Sequence, residues 1–385
     1  AVSGYELLAL RAGAIADAMA APFEFLGHNK NGFYSDDPDA PVYEGDVYFI
    51  ADVLDFKKCQ ILPVSADTIM TEITLSALNK RQWMPTRDRS LDKLMTLIAD
   101  QTLKNYEERD TPGSYSWADS DRAPGRQCIK AILDYQSAGQ WDRRQLQSRA
   151  VGLEAGCGRC MDSFVFGIVT TSVTDAARLA IEHACLSHPD VVSQAACAAL
   201  AAGAANAQLD FARASNIIDS MIHWAGRVSD KNKEQELKEW RLSQQFWPSW
   251  RKNDPNKPYT LEQRIYDVLN DVKRGMPLDA ILRRQGGWGA PGLVGAVVAI
   301  LLYAEKNSWT VKHAILAVIN ADCKPGEIDR DSIASCAAQF LAFMKMPLGF
   351  KEDDFARVEG DNNRVNPGSW RSDGSRYDLR FFACA

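Results

Sequence analysis

Apolar positions along this chain recur at intervals of three and four residues, seldom of two, which is the period of helices packed on one face. Leu7, Leu8, Leu10, Ile15 and Met19 predict a helix over about 4–20, which Pro22 should end. Ser65 opens a second run through Ile69, Ile73, Leu75 and Leu78. Further helices are expected over about 91–106, 128–136, 160–170, 174–187, 190–206, 277–285, 291–305 and 309–320. Another starts after Thr260, where Thr260-x-x-Gln263 has the spacing of a capping box. A late run goes from Ile333 through Ala337, Phe340, Leu341 and Phe343. Alternation suited to strands is confined to short pieces around Val47–Ile50 and Tyr377–Phe382. Clusters of Gly, Asn, Asp and Pro make 27–60 and 107–126 loops. The pattern therefore predicts an all-α domain over residues 1–350, an insertion at about 226–258, and a polar tail over 351–385.

Composition narrows the class. Hydrophobic residues are 46% and charged residues 24% of 385, a balance that supports a sizeable core. A net charge of -6 argues against a nucleic-acid partner, which needs a basic surface. The insertion interleaves lysines with Trp240, Trp247 and Trp250, but Glu234, Glu236 and Glu239 offset the positive charge. It reads as a solvated helix docked through Leu237, Trp240 and Trp247. The longest apolar run, Ala290–Ala304, holds two Gly and a Pro and is short for a membrane span, so a core helix is expected and no membrane partner. Nine scattered Cys, most in apolar helical runs, suit reduced thiols of a cytoplasmic protein, and no signal peptide is visible. Cys157 and Cys160 form a C-x-x-C with no second pair at zinc spacing.

The candidate chemistry begins at Gly326-Glu-Ile-Asp329-Arg-Asp331-Ser332-Ile-Ala334. Asp329 and Asp331 are two apart, so on one continuous helix they face different directions. They converge if Asp329 lies in the loop and Asp331-Ser332 form the first helical turn. That arrangement gathers hard oxygens suited to Mg²⁺ or Ca²⁺; read alone, the stretch is more simply an acidic helix cap.

Four more segments, in order, carry a family resemblance. Gly13-Ala-Ile-Ala-Asp17-Ala-Met-Ala-Ala-Pro22-Phe-Glu24, Ser65-Ala66-Asp67-Thr68-Ile-Met70, Gly156-Cys-Gly158-Arg-Cys-Met161-Asp162 and Ser187-His188-Pro189 precede the acidic stretch. Together these resemble the ADP-ribosylglycohydrolases, whose approximate patterns are G-A-x-G-D-A-x-G-x-P-x-E, S/T-D-D-T-x-M, G-N-G-x-x-M-R, T-H-P and G-D-x-D-T/S-x-A. The resemblance covers about residues 4–350. It implies a compact orthogonal multi-helix fold and hydrolysis of a glycosidic bond to ADP-ribose, with ADP-ribose or an ADP-ribosylated protein as partner.

The resemblance also assigns roles. Ser65, Asp67, Asp329, Asp331 and Ser332 would hold a two-Mg²⁺ centre that orients substrate and activates water. Glu24, otherwise an ordinary surface carboxylate, would act with Asp67 as general acid/base or water-positioner. Gly156 and Gly158, otherwise a simple turn, would let backbone N–H groups approach a pyrophosphate. His188, otherwise a loop or capping residue, would line the ligand pocket. Asp17 would orient the metal cluster or pair with a neighbouring helix.

Departures from the pattern stand at Ala66, where the family has an Asp, at Cys157 for Asn, and at Asp162 for Arg. The usual Gly is also missing before Asp17 and Asp329. Ala66 removes one ligand and one negative charge, so metal affinity should fall. Arg159 is placed to compensate Asp162. These departures leave two further readings: a binding or structural member without catalysis, and a hydrolase of another ribosyl or nucleoside substrate.

Overall fold

The structure is a computed structural model that describes residues 4–21, 64–82, 90–108, 125–140, 156–170, 172–208, 212–243, 256–324, 326–358 and 361. It is all-α: among these residues the only extended pairing is an isolated antiparallel bridge between Gly156 and Gly289. The short alternating segments at 47–50 and 377–382, and Glu24, lie outside the described residues.

Two helices that are apolar on every side form the centre, as such a pattern requires. One is α7 (Val191–Ala207), whose many alanines bring neighbouring backbones close. Around it pack α5 (Phe164–Val169), α6 (Val173–Ala184) and α8 (Ala214–Lys231). The other is α12 (Ala290–Asn307), the long apolar run of the sequence. It touches α7, α10 (Leu261–Lys273) and α11 (Leu278–Gln285). No helix among the described residues is long and apolar enough to cross a membrane.

The amphipathic helices close the outside. In α3 (Leu91–Glu107), Leu94, Met95, Ile98 and Thr102 face inward, and α4 (Arg126–Ala138) packs beside it. Thr260 caps α10 as its spacing predicts, its hydroxyl accepting the Gln263 N–H at 3.2 Å.

The pairing that matters most for the site is α1 (Gly4–Ala20) with α14 (Arg330–Phe343). They run together closely enough that a Cβ on Gly13 would meet the Gln339 side chain at 2.4 Å. Beside this pair lie α13 (Val311–Ile319) and the start of α2 (Ala66–Gln82).

The charged insertion differs from its expected form. Helix α9 (Lys233–Ser243) does bury Trp240, but it also buries Glu236 and Glu239, which the pattern had assigned to solvent. The reasons differ: Glu239 accepts the Val191 N–H at the start of α7 at 2.8 Å, and Glu236 accepts the Ser229 hydroxyl of α8. Trp247 lies outside the described residues.

At the C-terminal side, α15 (Glu352–Ala356) carries a buried Phe355. Arg11 of α1 forks onto Asp361 with bonds of 2.8 and 2.9 Å, reaches Glu352 at 2.6 Å and lies over the Phe355 ring.

Candidate metal centre and glycine turn

Asp17 is the only charged residue between Gly13 and Ala20, and it is fully buried. Its carboxylate serves the start of a different helix. Oδ1 accepts the Ser65 hydroxyl at 2.6 Å. Oδ2 accepts the Ser65 N–H at 2.9 Å, the Thr68 N–H at 3.2 Å and the Thr68 hydroxyl at 2.6 Å. Two of the orphan N–H groups at the entry to α2 are thus satisfied from α1.

At α14 the two aspartates separate as their spacing requires. Asp329 is the N-cap, outside the helix, and its side chain accepts the Ser332 N–H at 3.3 Å. Asp331, in the first turn, accepts the same N–H at 2.8 Å. The Asp329 N–H is fixed by Gly286 O at 2.7 Å, from a turn whose next residue, Gly287, has a φ of 90°. Arg330 points the other way and donates to the carbonyls of Val318, Ile319 and Ala321, closing the end of α13.

These elements converge. Oxygens of Asp17, Asp67 and Asp331 all lie within 4.8 Å of one another, and all three residues are buried. Ser332 donates to Asp67 Oδ2 at 3.2 Å. Ser65 Oγ stands 3.2 Å from Asp331 Oδ2 and 3.4 Å from Asp67 Oδ2, besides its short bond to Asp17. It has one proton for three carboxylates, so oxygens crowd here beyond what its hydrogen can join. Burial and the neighbouring Asp331 charge push Asp17 up to about 6. The donor set is buried, anionic and oxygen-rich, and it could hold a hard dication. Ala66, buried between Ser65 and Asp67 in the chain, has no ligand atom to contribute.

Sulfur enters from the turn before α5. Cys157 Sγ donates to Asp329 Oδ2 at 3.1 Å, and burial together with the Asp329, Asp67 and Asp331 charges holds the thiol well above its usual range.

Gly156 and Gly158 have a packing reason that the sequence did not reveal. A Cβ on Gly156 would stand 3.0 Å from His188 Nε2; one on Gly158 would stand 2.7 Å from Cys128 Sγ and 3.0 Å from His188 Cε1. The glycines let the buried His188 ring lie against the turn. The Cys157 N–H is taken by Trp288 O at 2.9 Å. Ser187 Oγ accepts from Arg159 Nε at 2.9 Å and stands 2.8 Å from His188 Nδ1. Burial, then the Arg159 charge, lower His188 to about 3, so the ring is neutral at pH 7.

Asp162 is buried in this network, accepting from Thr74 at 2.7 Å and lying 2.9 Å from His183 Nε2 and 3.7 Å from Arg159. Burial pushes its carboxyl up, but His183, Arg159 and Thr74 outweigh that, and it lies below the usual range.

Of the residues singled out in the sequence, Ser65, Asp67, Asp331 and Ser332 come together around Asp17; Asp329 stands beside them as the N-cap bonded to Ser332 N–H and Cys157 but is outside the carboxylate group, and Gly156, Gly158 and His188 lie against one another at the turn. Asp17 as a corner of the acidic cluster, and Cys157 beside Asp329, were not read there. The signal for Asp17 was a lone charge in an apolar helical run.

Comparison with known proteins agrees with this picture. No match was found among curated proteins. A solved structure described as an ADP-ribosylglycohydrolase-related protein complex superimposes with a TM-score of 0.52 at 15% identity, covering 94% of each chain, which speaks for the fold. The family profile of the ADP-ribosylglycohydrolases matches residues 7–345, and the chain therefore belongs to the ADP-ribosylglycohydrolase family.

Proposed function

We propose that this chain is a metal-dependent hydrolase that removes ADP-ribose from a modified protein side chain. The observation that carries the reading is the convergence of Asp17, Asp67 and Asp331 with Ser65 and Ser332, in a member of this family. Ser65, Asp67, Asp329, Asp331 and Ser332 would hold the ion, Mg²⁺ by family resemblance. When bound, it supplies orientation of the ribose hydroxyls and a water activated near neutral pH.

The chain's own groups do the rest. Asp17 holds Ser65 and Thr68 in place, so the loop before α2 presents its donors to the cluster. Asp67 would hold the ion, and Glu24, by resemblance, would take a proton from the attacking water. The neutral His188 lies against Gly156 and would line the pocket without adding charge beside an anionic ligand. Ala66 leaves the centre one carboxylate short of the family pattern, so affinity for at least one of two ions would fall.

Ala66 also favours a second reading, a protein that binds ADP-ribose without cleaving it. The experiment takes the chelator-stripped chain and Ala66→Asp, restores Mg²⁺, and offers peptides ADP-ribosylated on arginine or serine. Free ADP-ribose from Ala66→Asp, stopped by chelator, supports the hydrolase. Binding of ADP-ribose without turnover in both proteins supports the second reading. No Mg²⁺ uptake by calorimetry and no release from either peptide overturns the proposal, and ribose or base freed from nucleosides would point to a different substrate.

A further inference from the structure

Arg159 follows Gly158 in the turn, yet its side chain runs inward and is buried. It is the joint of a chain of buried polar groups. Its Nε donates to Ser187 Oγ at 2.9 Å, and Ser187 Oγ stands 2.8 Å from His188 Nδ1. Its Nη1 stands 3.3 Å from His183 Nε2 and 3.7 Å from Asp162 Oδ2. Asp162 is held in turn by the Thr74 hydroxyl of α2 at 2.7 Å and by His183 of α6 at 2.9 Å. One hydroxyl therefore separates the guanidinium from the His188 ring.

That ring is fixed at both ends. Its far edge lies against Gly156 and Gly158, where an added Cβ would stand 3.0 Å from Nε2 or Cε1. Its Nδ1 edge meets Ser187 Oγ. Backbone bonds place this segment: the His188 N–H reaches Ala184 O at 2.7 Å, and Gln127 Nε2 reaches Ser187 O at 2.9 Å. They do not choose among the three staggered positions of the Ser187 hydroxyl. The Arg159 N–H selects the one that faces Nδ1. A planar guanidinium suits that task because its donors keep fixed directions. A buried cation needs a counter-charge, and Asp162, three positions on, supplies it. The charged and titratable groups that face His188 are Arg159 and His183, which disfavour a protonated ring, and Asp162, which favours one.

We propose that Arg159 is a positioning residue of the ligand pocket: through Ser187 it sets the orientation of the His188 ring, with Asp162 as the counter-charge that keeps the guanidinium in place. The inference rests on the reading above that His188 lines the pocket for ADP-ribose. Being buried, Arg159 acts on a ligand through that ring alone.

The test is a thermodynamic cycle on ADP-ribose affinity, measured by calorimetry on the full chain with Mg²⁺. Arg159→Gln and Ser187→Ala should each weaken ADP-ribose about tenfold, and in a His188→Ala background neither should cost anything further. A residue that only supports the fold costs affinity in both backgrounds. NMR of histidine-labelled protein adds a signed readout, the His188 signal being assigned by its loss in His188→Ala. Arg159→Gln should move the His188 titration upward by about one pH unit or more. Arg159→Lys keeps the charge without the fork, so it should weaken ADP-ribose yet leave that titration in place. No loss of affinity in Arg159→Gln, an equal loss with and without His188, or an unmoved His188 titration overturns the proposal. Absence of ADP-ribose binding in the parent overturns the proposed function, and the NMR shift then decides alone whether Arg159 governs the ring. Should Arg159→Gln not fold, Ser187→Ala and Arg159→Lys carry the cycle under the same criteria.

Discussion

Asp17 caps Thr68: a carboxylate on the first helix accepts both the backbone N–H and the hydroxyl of a residue in the first turn of the next described one, at 3.2 and 2.6 Å. With Ser65 giving two more hydrogen bonds, Asp17 is as much a joint of the fold as a corner of the cluster. Replacing it by Ala leaves several buried donors unmet, and Asp17→Ala should lose about 2–5 kcal/mol of stability in urea unfolding.

Asp331→Asn separates the two roles. It leaves the bonds of Asp17 in place and removes a charge that disfavours the Asp17 carboxylate. The stripped Asp331→Asn protein should therefore be at least as stable as the stripped parent at pH 8. The rise in melting temperature that a dication gives the parent should be absent from it, which a thermal shift with and without ion will show.

The raised Asp17 also sets a pH dependence. Its folded value of about 6 lies above the ordinary carboxylate range, so its contribution to stability is full in acid and is lost as pH rises through about 4 to 6. An added dication counters that loss because it favours the ionised form. The ion-dependent gain in stability should accordingly be small at pH 5 and reach its plateau above pH 7.

Asp190, the N-cap of α7, offers a second titration away from the cluster. Burial, then the Glu239 charge, push it up to about 7. Stability should fall as pH rises from about 4 to 7, with the same sign as for Asp17. Asn caps a helix about as well as Asp. Asp190→Asn should match the parent near pH 4 and exceed it at pH 8 by on the order of a few kcal/mol, read from urea midpoints at the two pH values.

At the glycine turn, Gly158→Ala brings a methyl group to 2.7 Å from Cys128 Sγ. It should cost about 1–3 kcal/mol. Cys128→Ala removes the sulfur, so the double variant should recover part of that loss, and a double-mutant cycle measures the coupling.

Most helices were legible because their apolar faces recur with helical period and because Thr260 and Asp329 are good caps, but α8 was not among those expected and α15 fell within the expected polar tail. The acidic entry to α14 was legible for a related reason: two aspartates two apart can share a point only across a helix boundary. What the pattern could not convey was partnership over long separations. Nothing near Asp17 in sequence says that it closes a helix starting at residue 66. Glu239 and Glu236 look like surface charges until the start of α7 is found beneath the first and Ser229 of α8 beside the second. Cys157 looked only like a lost Asn, since its relation to Asp329 spans 172 positions. Gly156 and Gly158 are legible as a turn, but the His188 ring that needs the room arrives from another segment.

Arg330 stands between Asp329 and Asp331 in sequence, the nearest positive charge they could have had. Helix phase sends it to the far side, where it is spent on the carbonyls of Val318, Ile319 and Ala321. Local charge neutrality is thereby exported from the cluster to the end of another helix. On the proposed reading, the counter-charge would be a dication from solvent, and its concentration in the surrounding medium would then set part of the chain's stability as well as its chemistry.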